Sequence, residues 1–177
     1  VDVPADDVLR SALESVRPEG LGVPCPVDRM PRRRRNQICI AIIGLGLANY
    51  LVYTLSYAAL GGDALNGHRD VVLLEDGTRE EVYKVRGHFI HSLSGRERIV
   101  SRAAWIYSYV HSISLPLTSG AMIISMLVLA RPHILATMRG GWVAGQTLVT
   151  AFATIVVLIT GGAAALFTWS FVAEMVR

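Results

Sequence analysis

Of the residues in this chain that could do chemistry, the five histidines come first: His68, His88, His91, His111 and His133. His88 and His91 share one side of a turn if their stretch is helical, which would supply two ligands to a metal. A structural zinc site needs four ligands and a catalytic one three, and no cysteine or well-placed carboxylate stands beside this pair. No metal site is therefore expected. Cys25 lies in a Pro-rich polar segment and Cys39 opens an apolar run, so neither a disulfide framework nor a thiolate centre can be built from them. His111 differs from the rest, because it falls about 12 Å along an apolar helix at 1.5 Å per residue. Ionisable groups within a membrane usually face a bundle interior, a cavity or a partner.

A bis-histidine haem would require a second histidine at similar depth, and the other apolar runs contain none. His111 could instead supply one ligand to a haem shared with another chain. The stretch Ser108-Tyr109-Val110-His111 is superficially similar to one in the anchor subunits of succinate dehydrogenase-type enzymes. Ser112 stands where their arginine is expected, so no residue role carries over. The resemblance implies at most a shared haem b; the simpler expectation is a neutral His111 bonded to a nearby carbonyl or hydroxyl.

Enzyme templates are absent. There is no GxSxG elbow, HExxH, Walker loop or strand-borne GxGxxG. The apolar runs contain no carboxylates, and Glu174 closes the last of them, so a proton relay or ion pathway within one copy has no material. Tyr50, Tyr53 and Tyr57 share one helix side with Asn49 adjacent. Their expected use is aromatic packing, with a quinone, pigment or lipid contact at Tyr50 as the functional alternative.

The elements that must position these residues follow from charge and hydropathy. Hydrophobic residues make up 52% of the 177 residues and charged ones 18%, with net charge +3 and mean hydropathy +0.43. That excludes a disordered chain and argues against nucleic-acid binding. No Asp, Glu, Lys or Arg occurs in residues 36–62, 103–130 or 140–173. Each run exceeds the roughly 20 residues that cross a 30 Å hydrocarbon layer. The expected fold is an all-α membrane protein with three transmembrane helices over these ranges. Pro116 should kink the second near Leu115. Trp105, Trp142 and Trp169 are expected at the lipid interface.

The remaining segments are small. Residues 1–35 form a polar N-terminal segment unlike a cleavable signal, with a short amphipathic helix over 6–17. Residues 63–102 form a loop in which Asp76-Gly77 joins two β-rich runs, predicting a hairpin over 71–85. Residues 131–139 make a short loop and 174–177 the C-terminal end. Arg32, Arg33, Arg34 and Arg35 precede the first span and should face the lipid headgroups on the inner side, with the C-terminus outside.

Small residues recur at four-residue spacing in every span: Gly44 and Ala48 in the first, Ser108, Ser112 and Gly120 in register with Pro116 in the second, and the pairs Gly141 with Gly145 and Gly161 with Ala165 in the third. Lipid offers no hydrophobic drive for helix association, so close packing through small residues must supply it. The leading expectation is a non-catalytic membrane subunit that requires no cofactor and packs among other membrane subunits and lipid. An energy-transducing complex, respiratory or photosynthetic, of a bacterial or organelle inner membrane is the default setting. The alternatives are an anchor subunit at a haem, quinone or pigment site involving His111 and Tyr50, and a homo-oligomeric channel or small transporter.

Overall fold

The computed structural model describes residues 30–73, 77–88, 95–138 and 144–176. The expected amphipathic helix over 6–17 lies outside them. The chain divides into a unit of residues 1–35 and a unit of residues 36–177. Among the described residues three helices are long and apolar enough to cross a membrane: α1 (Arg32–Leu60), α2 (Arg102–Thr137) and α3 (Gly145–Val176). Between α1 and α2 lies an antiparallel sheet of β1 (Asp63–Leu73), β2 (Arg79–Arg86) and β3 (Glu97–Val100), in the order β1-β2-β3. The all-α expectation is corrected accordingly to a mostly helical fold with a three-stranded sheet.

The expected 71–85 hairpin is the tip of that sheet. Val71 pairs with Glu81 and Leu73 with Arg79, and Gly77 adopts φ +82° beside the turn. The sequence signal for a strand begins only at Val71, because the preceding residues 63–70 are mostly polar and carry a glycine. They extend nevertheless, with an irregularity between Asp63 and His68. Gly67 makes it feasible: a Cβ there would lie 1.9 Å from the Lys84 carbonyl oxygen. β3 is short and half charged, and it pairs through Tyr83 with Val100 and Arg86 with Glu97.

Helix ends are closed by the sheet. Gly61, at φ +81°, and Gly62 both donate to the Tyr57 carbonyl at 3.0 Å, which stops α1 and turns the chain directly into β1. Arg98 donates from Nη1 to the Ala59 carbonyl at 3.2 Å, so a cation stands at the negative end of α1. Ser101 caps α2, its hydroxyl accepting from the Ala104 amide at 3.3 Å.

The core forms where the inner face of the sheet meets α2 and α3. Tyr83 and Val85, two apart on β2, point the same way and are buried with Ala64 against Trp105 and Tyr109. Trp105 is wholly buried, its ring 5.6 Å from Tyr83, 5.0 Å from Tyr109 and 6.1 Å from Phe171. Burying one such side chain contributes roughly 1.5–3 kcal/mol. The Ala64 amide donates to the Ser108 hydroxyl at 3.1 Å, fixing β1 on α2.

Lower in the bundle, α2 and α3 approach at Gly120, where a Cβ would stand 2.6 Å from the Thr160 hydroxyl. α2 runs on through Pro116 and Pro132 to Thr137, further than the expected end at 130, while the described part of α3 starts at Gly145. Around Pro116 the hydroxyls of Ser112, Ser114 and Thr118 each donate to a carbonyl three or four residues back. α1 joins α2 through Asn49, whose Nδ2 donates at 3.1 Å to both Ser114 and Thr118.

Candidate functional site

The three tyrosines singled out on α1 line a cavity. It measures about 410 Å³ and lies among the last turns of α1, the middle of α2, Phe167 of α3 and the start of β1. Tyr50, Tyr53 and Tyr57 line it from α1, and Leu115 and Phe167 contribute apolar surface from α2 and α3. Tyr50 is 61% exposed, so its ring stands at the rim. Such a volume suits a small amphiphilic molecule.

Asp63, the first charged residue after the first apolar run, gives the cavity its one acidic group among the described residues. It is only 3% exposed. Oδ2 accepts from the Tyr53 hydroxyl at 2.9 Å, and Oδ1 accepts from the amide and side chain of Asn66 at 3.1 and 2.7 Å. In the sequence Asp63 and Asn66 read as ordinary residues of the 63–102 loop. Their only signal is position: the glycine pair stops the helix just before them, so that both fall at the start of β1, against the cavity.

His111 sits beside these tyrosines, with Tyr53 edge-on at 5.7 Å. Nε2 lies 3.2 Å from the backbone oxygen of Asn49 and Nδ1 3.1 Å from the Tyr107 hydroxyl. A carbonyl only accepts, so Nε2 carries the proton, and a neutral ring then accepts at Nδ1 from Tyr107. The Ser56 hydroxyl, 3.3 Å from that of Tyr107, extends this network to the exposed side of α1. An iron ligand at either nitrogen would have to displace one of these partners.

Small residues fall into two sets. Ser108, Ser112, Gly120 and Gly145 are buried, the last against Leu135. Gly44 and Gly161 have open space where a Cβ would stand, and Ala48 and Ala165 are exposed beside them. Gly46, not Gly44, meets α2, at the Met122 side chain. Gly141 and Trp142 lie outside the described residues. Trp169 is 75% exposed, and Arg32, Arg33 and Arg34 are exposed, with Arg35 partly so. Trp105, expected at the lipid interface, is instead the centre of the core because β2 covers it.

Each face of the sheet carries a paired set of charges. Lys84 donates to Asp70 at 2.6 Å, which holds the Asp70 carboxyl below the usual carboxylate range and raises the Lys84 ammonium. The Tyr83 hydroxyl donates to Glu81 at 2.6 Å, pushing the phenol up and, with Arg69 adding to it, the carboxyl down. Among the described residues no three His, Cys, Asp or Glu side chains gather as metal ligands; His88 is exposed and His91 lies outside them.

Comparison with protein-family models, curated proteins and solved structures finds no match to this chain.

Proposed function

We propose that this chain is a non-catalytic, membrane-integral subunit whose α1 and α3 dock against helices of other membrane proteins. The observation carrying this reading is the outward aspect of Gly44 with Ala48 and of Gly161 with Ala165, where nothing among the described residues fills the space beside the glycines. A lipid-facing helix side gains contact from large side chains; glycine there forgoes it unless another backbone approaches. Supporting it, only 11% of the most apolar window of each helix is buried within the chain. In this reading Arg32, Arg33, Arg34 and Arg35 mark the inner side of the membrane, and the sheet and C-terminus face outward.

Mild detergent extraction from the native membrane followed by size-exclusion chromatography tests the proposal. The native chain should elute with other membrane proteins. A Gly44→Leu/Gly161→Leu variant should elute alone, with unchanged helical circular dichroism. A native chain that runs as a single copy without co-purifying protein removes the proposal.

A further inference from the structure

We propose that the cavity beneath the sheet binds the cationic head of an amphiphile: an organic ammonium group carrying a hydrocarbon tail.

Asp63 carries the argument. Its carboxylate is almost entirely withdrawn from solvent, and its three hydrogen bonds all come from uncharged donors, Tyr53 and Asn66. The ion pairs of the described residues lie elsewhere on the sheet and leave Asp63 without a cation. Neutral donors stabilise a buried anion but do not cancel its charge, and a buried carboxylate normally has a counter-charge. Arg86, its register partner on β2, is exposed and makes no ion pair with it, so the place beside the carboxylate is the cavity.

The walls select what fills that place. Tyr50, Tyr53 and Tyr57 offer aromatic rings, whose negative faces attract ammonium and quaternary ammonium groups. Leu115 and Phe167 are apolar and accept a hydrocarbon chain. An anionic head would meet the Asp63 charge in surroundings of low dielectric, where repulsion is strong. A fully apolar molecule would leave that charge uncompensated. The cavity lies among the last turns of α1, the end nearest the sheet, which is headgroup depth for a molecule whose tail runs along the bundle. This inference is independent of the assembly reading.

An ammonium amphiphile can come from a phospholipid headgroup or from a free lipophilic amine. The test uses native mass spectrometry of the full-length protein from maltoside micelles. The four probes are tetradecyltrimethylammonium, phosphatidylethanolamine, tetradecanoate and phosphatidylglycerol. One of the two ammonium probes should bind one-to-one, and which one does identifies the source. The anionic probes should bind more than about tenfold weaker. Asp63→Asn, which keeps the shape and removes the charge, should weaken the ammonium probe by a similar factor. Equal binding of cationic and anionic probes, no ammonium binding, or an unaffected Asp63→Asn protein would overturn the proposal. If Asp63→Asn does not fold, Thr54→Trp, which fills the cavity from an exposed position on α1, takes its place: binding should be lost, and binding retained would overturn the proposal.

Discussion

Arg69 of β1 reaches the final turn of α3, its Nη1 lying 3.3 Å from the Met175 carbonyl oxygen and 3.4 Å from that of Glu174. Its Nη2 meanwhile donates to Glu81 at 2.7 Å on the neighbouring strand. One guanidinium thus fastens the sheet to the negative end of the third helix, as Arg98 does at the first. A small sheet that is marginal alone gains its footing here.

Arg69→Leu should fray α3 near its C-terminus while leaving its middle intact. The expected loss is about 1 kcal/mol, since a cation at a helix C-terminus typically contributes 0.3–1 kcal/mol and more when partly buried. Hydrogen exchange of residues 172–176 should rise in the variant, with residues 150–160 unchanged. Uniform protection along the helix would show that Arg69 does not hold it.

Asn49 bonds two hydroxyls of α2 and receives the His111 ring at its own carbonyl. Asn49→Leu should loosen α1 from α2 by about 0.6–1.7 kcal/mol, the range found for hydrogen bonds between membrane helices. Unfolding in mixed micelles measures it. His111→Ala should leave the visible absorption of the purified protein unchanged, because both ring nitrogens already have protein partners. A lost Soret band would contradict that.

Two glycines should behave oppositely. Gly67→Ala places a methyl group into the Lys84 carbonyl and should destabilise the sheet by more than about 2 kcal/mol. Gly44→Ala meets nothing among the described residues and should leave single-chain stability unchanged or slightly raised, since alanine favours the helix. Thermal unfolding of the detergent-solubilised single chain compares them.

The sheet should tolerate a broad pH range. Asp70 and Glu81 are held below their ordinary 3.8 and 4.5, so their contribution is complete above those values and lost as pH falls through the lower folded ones. Lys84 and Tyr83 are held above 10.5 and 10.0, so theirs is complete below those values and lost as pH rises through the higher folded ones. Between these limits exchange protection of β1 and β2 should be flat. Difference absorbance at the phenolate band, native minus Tyr83→Phe, should show the Tyr83 transition above pH 10; a transition below it would refute the Glu81 contact.

The three long helices were legible because hydrocarbon does not solvate charge: a run without Asp, Glu, Lys or Arg declares itself whatever it packs against. The hairpin tip was legible for a similarly local reason, since Asp76-Gly77 admits the turn that joins two β-rich runs. Asn49 could be expected to find a partner, because an unsatisfied amide at that depth is expensive.

Rotation about each helix axis is not a local property. Gly44 with Ala48 and Ser108 with Ser112 have the same spacing, yet the first pair faces outward and the second lies under β1. Nothing in either stretch distinguishes them, because facing is set by which neighbour covers the helix. The same holds for Trp105, whose aromatic character suits a lipid interface and a protein core equally until Tyr83 and Val85 fold over it. Asp63 reads as one more loop charge, and only the approach of three helices and a strand encloses it beside a cavity. Spans and turns thus follow from short-range solvation and backbone geometry, whereas the buried carboxylate, the core tryptophan and the outward glycines depend on contacts between residues far apart in the chain.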